Sequence, residues 1–240
     1  MDEAMERKFR KHAKRLLKSA AMFFAIQQDA GERVRKQTME GYGRLRDAHL
    51  LLTGVLGSAL IRASGLKVEL REGDMERTAL LASFVIGMDL CERAIAEGRL
   101  LQACALVRQE METVTQMTAI AEGRYCDGRT PNVAALEEDL RRMYGALTDA
   151  AHVSRHWIVR SATEYESDAA DTSYTRHFPA FDREASRGLF VTHLVLIARM
   201  FGLYSAAKGN AVCDEDREAV RLAFDLMETE GMVALEEDEA

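Results

Sequence analysis

With 240 residues, 48% of them apolar and 30% charged, the chain carries enough apolar surface to bury a substantial core, which excludes an intrinsically disordered protein. A net charge of −7 at pH 7 argues against a uniformly basic nucleic-acid coat and leaves local patches as the only attraction for phosphates. The opening MDEAMERKFRKHAKR is charged from its second residue and has no apolar stretch before a small-residue cleavage site, so it does not read as a secretory signal.

Only two prolines interrupt a chain dominated by Ala, Leu, Met, Glu and Arg, so the predicted fold class is all-α, a multi-helix bundle. Residues 1–66 read as an N-terminal helical arm packed on the bundle, 74–230 as the bundle and 231–240 as an acidic tail. The first helix runs from about Glu3 to Gln28, with Phe9, Ala13, Leu16, Ala20 and Phe23 at intervals of three and four. Beside that stripe stands a basic face, where Lys11, Lys14, Arg15 and Lys18 are candidates for contact with nucleic acid or an anionic surface. The alternative is a solvated face answered by the acidic tail. A second helix spans about Arg33 to Ser64, with a break near Gly41.

Residues 65–73 form a connection, with a short extended piece at Val68 and Leu70. Asp74 caps a third helix that runs to about Glu97 and stops at Gly98. The fourth, about 99–123, has a core stripe of Leu100, Cys104, Val107, Met111, Val114 and Thr118. A turn at 123–130 leads to Thr130 and Pro131, which suit a helix start. Helix five, about 133–156, then packs through Leu136, Leu140, Met143, Leu147 and Ala151.

From about Ile158 to Phe181 the helical period disappears, and WIVRSATEY and SYTRHF read as two short strands around the acidic ESDAAD turn. A sixth helix, about Asp182 to Lys208, is apolar nearly all round and belongs at the bundle centre; a seventh covers Asp214 to Glu228. The three most apolar runs, 50–61, 80–90 and 189–198, all fall short of the roughly 20 residues a bilayer span needs, so they read as buried helices. Cys91, Cys104, Cys126 and Cys213 have no paired zinc spacing and read as reduced thiols of a cytoplasmic protein.

Two polar groupings interrupt these patterns. Asp149, His152 and His156, at offsets of three and four, lie on one side of helix five and offer ligands for a divalent metal, with Glu110 or Glu112 as further donors. That side faces away from the leucine stripe, so a solvated face is the default and no metal is expected. Arg108 and Glu112, one turn apart at the edge of the helix-four stripe, read either as an intrahelical ion pair covering the core edge or as an Arg held to meet a phosphate or a partner carboxylate.

The segment LLQACALVRQEMETVTQM, followed after a turn by LRRMYGALTDAAHVS, resembles uncharacterised bacterial helical proteins related to the HEPN group. These have an Arg and a Glu in one bundle helix, then a Tyr, a small hydroxyl residue and a His in the next. The matching positions are Arg108, Glu112, Tyr144, Thr148 and His152, within a resemblance covering about 80–155. It implies a ligand or partner pocket at those five residues. It also implies a role in defence or stress response, binding a nucleotide, nucleic acid or protein partner; the many apolar helix faces separately predict a homodimer that completes its core across a two-fold axis.

Many HEPN proteins are ribonucleases with an Arg followed four to six residues later by His. Such spacings occur here at Arg7 and His12, Arg44 and His49, and Arg187 and His193. Three matches in an arginine-rich chain are close to chance and do not identify a nuclease; His193, in an apolar helix, reads as a hydrogen-bonded core histidine. No nucleophile elbow, phosphate-cradling glycine loop or zinc-peptidase motif is present, and the sequence calls for no cofactor. The rivals to a binding protein are a divergent HEPN-like ribonuclease, a metal-dependent hydrolase using Asp149, His152 and His156, and a structural dimerisation module.

Overall fold

The computed structural model describes residues 2–65, 72–125, 128–129, 131–152, 155–167, 172–207 and 212–232. The side chains of Arg15, Ala135, 165–167 and 172–174 lie outside that description. So do the expected extended piece at Val68 and Leu70, Cys126, Thr130, Lys208 and the tail beyond 232. Eight α-helices are described: α1 Glu3–Gly41, α2 Leu45–Ala63, α3 Asp74–Ala96, α4 Leu100–Ala121, α5 Glu138–Ala151, α6 His156–Thr163, α7 Arg183–Ala207 and α8 Asp214–Thr229. A single 3-10 turn at Val133–Ala135 precedes α5, and a two-stranded antiparallel ribbon, β1 Glu164–Ser167 and β2 Thr172–Thr175, follows α6. The chain is an all-α multi-helix bundle with one small hairpin.

The core forms around α7, whose all-round apolar sequence needs neighbours on every side. Phe190, Leu194, Leu196, Ile197 and Met200 of α7 are buried against α2, α3 and α4. By length and composition α7 is apolar enough to cross a membrane, with an 18-residue window of mean hydropathy 1.6, but two-thirds of that window is buried inside the bundle. Helix α8 covers α2, and α5 covers the outer side of α4. The predicted stripe of α4 holds, with Val107, Met111 and Val114 buried and Leu100, Cys104 and Thr118 half-buried.

Local chemistry sets the helix ends. Asp2 accepts a hydrogen bond from the Met5 N–H at 2.7 Å to cap α1. At the start of α8 the Asp216 carboxylate accepts from the Cys213 N–H at 2.9 Å and also pairs with Arg62 of α2, tying the two helices. Gly98, at φ +70°, closes α3: the Arg99 N–H reaches back to the Ala94 carbonyl at 2.9 Å. A side chain at Gly98 would strike the Ala180 carbonyl and Val34, so this turn also seats the segment before α7 and the second half of α1.

Several expectations are corrected. Helix α1 runs unbroken through 28–33 to Gly41, because Ala30, Gly31 and Val34 are buried and an Asp29–Arg33 pair bridges the turn. The break near Gly41 is present: Gly43 turns at φ +53° before α2. Helix α2, assigned to the arm by sequence, lies in the core through Leu45, Leu52 and Leu56. The single helix expected at 133–156 is divided, since the Asn132 side chain accepts from Ala134 N–H and caps a separate 3-10 turn, and α5 starts only after extended Glu137. Pro131 therefore leads into this short 3-10 turn and not into an α-helix. WIVRSAT is helical rather than a strand, with only Glu164 and Tyr165 of the first expected strand in β1, and of SYTRHF only residues 173–175 pair in the hairpin.

The arm differs too. Every described side chain from 2 to 26 is exposed, apart from half-buried Glu6 and Ala13. Phe9 is 60% exposed, Leu16 54% and Phe23 45%, with Phe23 meeting the ring of Phe178. The apolar stripe of the first helix is uncovered over six turns.

Candidate functional site

Helices α4 and α5 pack side by side, and four of the five residues singled out by the resemblance meet along their outer seam. Arg108 and Glu112 stand one turn apart on α4, with Arg108 Nε 3.0 Å and Nη2 2.9 Å from the same carboxylate oxygen, Oε1. From α5, the Tyr144 hydroxyl donates to that oxygen at 2.8 Å, and the Arg108 guanidinium carbon lies 5.6 Å from the Tyr144 ring centre. The remaining arm of the guanidinium reaches His152, with Nη1 3.4 Å from Nε2. Tyr144 and Glu112 both favour the charged form of Arg108 and raise its pKa, the hydrogen bond to Tyr144 contributing most.

Thr148 completes the group. One turn from both Tyr144 and His152 on α5, its hydroxyl oxygen is buried with no hydrogen-bond partner among the described residues. A buried hydroxyl without a partner costs about 1–3 kcal/mol, so this position invites a donor or acceptor from outside. Arg108, Glu112, Tyr144 and Thr148 are half-buried, while His152 is exposed. Glu112 holds the phenol proton and two guanidinium nitrogens, so the arrangement offers the outer guanidinium nitrogen of a fixed cation, an imidazole and a hydroxyl at a surface seam, a set that can meet an oxyanion such as phosphate beside that carboxylate.

The other candidates lie apart. The expected trio on helix five does not share a helix: α5 ends at Ala151, His152 is its C-cap and His156 opens α6. Asp149 instead pairs with Arg155 at 2.9 Å. Among the described residues these three do not form a metal-ligand cluster. Lys11, Lys14 and Lys18 are exposed on α1, far along the arm, as are Arg7 and His12. Arg44 pairs with Asp47 at 3.1 Å, whereas His49 turns inward to Glu92 at 3.6 Å. Arg187 holds the Gly41 carbonyl and the Glu230 side chain, while His193 is fully buried. Among the described residues no hydrogen bond joins Arg7 to His12, Arg44 to His49 or Arg187 to His193.

One feature escaped the sequence reading. Glu110 is 5% exposed, and its Oε2 lies 2.8 Å from Nδ1 of His193. The signal was present: Glu110 stands three residues after Val107 and four before Val114, inside the apolar arc of α4 and not on its rim. Cys91, Cys104 and Cys213 are free.

Compared with known proteins, the chain matches no family model, no curated protein and no solved structure.

Proposed function

We propose that this is a cytoplasmic bacterial binding protein of defence or stress systems that recognises a phosphate-bearing ligand, a nucleotide or nucleic acid, at the α4–α5 seam. The observation that carries this reading is the Arg108 guanidinium fixed between Glu112, Tyr144 and His152 beside the unpartnered Thr148 hydroxyl. The relationship to HEPN-related proteins supports it, since the same five residues carry that resemblance. A protein partner presenting a carboxylate would meet the same guanidinium chemistry.

The arm supplies the second element. Phe9, Leu16 and Phe23 recur every seven residues, with Ala13 and Ala20 beside them, and this exposed stripe is suited to pairing with the arm of a second copy. Lys11, Lys14 and Lys18 fall on the opposite side of the helical wheel, with sequence position 15 at its flank, so two paired arms would keep their basic faces outward toward phosphates.

The test is binding of a labelled RNA oligonucleotide and of nucleotides to the purified full-length chain over a range of salt, with and without chelator. Arg108→Ala is expected to weaken binding about 10- to 100-fold, as loss of a charge-assisted contact would. The Lys11, Lys14, Arg15 and Lys18→Gln variant is expected to lower the logarithmic salt slope by roughly 3 per arm. Cleavage of the RNA would replace this reading with a divergent ribonuclease, and chelator-sensitive hydrolysis with a metal-dependent hydrolase. Wild type that binds none of these at low salt but remains dimeric would leave a dimerisation module.

A further inference from the structure

On the side of α4 opposite Arg108, three helices each bring one ligand-type side chain to a single buried point. Cys91 comes from α3, Glu110 from α4 and His193 from α7, exposed by 1%, 5% and 0%. One ligand atom from each lies within 4.8 Å of the others. Two of the polar atoms there, Glu110 Oε1 and His193 Nε2, are buried with no hydrogen-bond partner among the described residues. Beside Cys91 and Glu110 lies a cavity of about 30 Å³, edged by Ser83, Gln109 and Thr113. That is room for one body the size of a water molecule.

A bare group of this kind is expensive. Burying a carboxylate against an imidazole strands charge or unfilled lone pairs in a low dielectric, and the Glu110–His193 contact leaves an atom of each unanswered. A divalent cation offsets the buried charge: a thiolate, a carboxylate and a neutral imidazole around a 2+ ion sum to zero net charge. We propose that Cys91, Glu110 and His193 form a structural site for a borderline transition-metal ion of the zinc class, with a water in the adjoining cavity as the fourth donor.

The donor set decides the metal class. Mixed sulfur, nitrogen and oxygen ligands suit Zn²⁺ or Co²⁺ over the all-oxygen preference of Ca²⁺ and Mg²⁺. Tetrahedral ligands around zinc stand roughly 3.5 Å apart, so separations of up to 4.8 Å must close by about 1 Å while the 2.8 Å Glu110–His193 contact opens slightly. His49 from α2, its ring 6.1 Å from that of His193 and its Nε2 3.6 Å from Glu92, lies in the surrounding layer. In the binding step the metal–sulfur bond forms as the Cys91 S–H bond breaks and its proton leaves to solvent. One imidazole nitrogen of His193 takes the ion while the other keeps its hydrogen, and Glu110 binds as the carboxylate. One proton is therefore released per ion, and affinity rises with pH. This site is independent of the α4–α5 seam.

The experiment is titration of chelator-dialysed full-length protein with Co²⁺, followed by absorbance. The expected result is a near-ultraviolet thiolate charge-transfer band and visible bands of tetrahedral cobalt, both displaced by Zn²⁺, with release of one proton and a higher thermal midpoint. Cys91→Ser should abolish the charge-transfer band and weaken binding more than about 100-fold, beyond the roughly 10- to 100-fold that supporting residues cost. Cys104→Ser and Cys213→Ser should retain it. If Cys91→Ser does not fold, the variant with Cys104, Cys126 and Cys213 all changed to Ser settles the matter, since it leaves Cys91 as the sole thiol and must keep the band. Absence of the band in the wild type, its survival in folded Cys91→Ser, or its loss when Cys91 alone remains would each overturn the proposal.

Discussion

Arg108 and His152, forty-four residues apart in sequence, face each other across the α4–α5 seam with Nη1 3.4 Å from Nε2. The contact is partly exposed, and an exposed pair of this kind is worth at most about 1 kcal/mol. Arg108→Ala should therefore shift the thermal midpoint by no more than roughly 2–4 °C, while RNA or nucleotide binding drops by at least about 10-fold. A calorimetric scan beside a binding titration separates the two effects. A large loss of stability with unchanged binding would reduce Arg108 to scaffolding.

Thr148 gives a prediction of opposite sign on the two axes. Its buried hydroxyl has no partner among the described residues, so Thr148→Val removes a desolvated polar atom at nearly constant volume. The unliganded protein should be unchanged or stabilised by up to about 1 kcal/mol, and ligand binding should weaken. Destabilisation of the unliganded variant in denaturant melts would mean that the hydroxyl is already satisfied within the fold.

The legibility of this chain follows from where tertiary contacts reinforce local pattern and where they override it. Helices α3, α4, α7 and α8 are readable because apolar stripes or runs, Gly98 and Asp214 mark faces and ends together; Asp74, expected to cap α3, is instead its first residue, with Gly73 at the cap position and its own carboxylate 3.0 Å from Arg77. Arg108, Glu112 and His152 stand out in the sequence as polar departures from the apolar pattern, whereas grouping them with Tyr144 and Thr148 comes only from the resemblance, since no periodicity links the two helices. Helix α6 was missed because Ile158, Val159 and Thr163 favour strand; its side chains answer its own backbone, Ser161 Oγ donating to the Ile158 carbonyl and Thr163 Oγ1 to that of Val159, each at 2.8 Å. The continuity of α1 past Gly31 depends on packing against Glu97, a contact 66 residues away that no local window contains.

Gly98 and Glu230 are the two clasps of the bundle ends, and each has a distinct signature. At Gly98, φ +70° and the adjacent Ala180 carbonyl leave no room for a methyl group. Gly98→Ala should cost more than the ~1 kcal/mol typical of placing Ala at positive φ, read as a lower denaturant midpoint with an unchanged slope.

Glu230 accepts from the Arg44 N–H at 2.8 Å through Oε1 and from Arg187 Nη2 at 3.0 Å through Oε2. The Arg44 N–H first, and Arg187 next, hold its carboxyl below the ordinary value of 4.5. A carboxylate depressed in the folded state contributes stability that is fully present above the unfolded pKa and is lost as pH falls through the folded one. The stability gap between wild type and Glu230→Gln should accordingly be constant from pH 7 to about pH 5.5 and shrink below about pH 4.5. Urea melts at stepwise lower pH measure it. A gap that persists unchanged at pH 3 would assign the effect to shape and not to charge.

The arm is the last and most exposed element. Phe9, Leu16 and Phe23 are 60%, 54% and 45% open to solvent, and a stripe of that kind in water is stabilised by covering it. Pairing with a second copy covers it without bringing the cationic faces together, because Lys11, Lys14 and Lys18 lie on the far side of the helix. Changing Phe9, Leu16 and Phe23 together to Gln should convert a dimer to a monomer at micromolar concentration in light scattering. The bundle loses little by this, since Phe23 alone makes a ring contact outside the arm. The thermal midpoint at high dilution should therefore stay within about 2–4 °C of wild type, while wild type alone gains stability with concentration. A monomeric wild type, or a triple variant still dimeric, would place any self-association elsewhere and leave the stripe for another occupant.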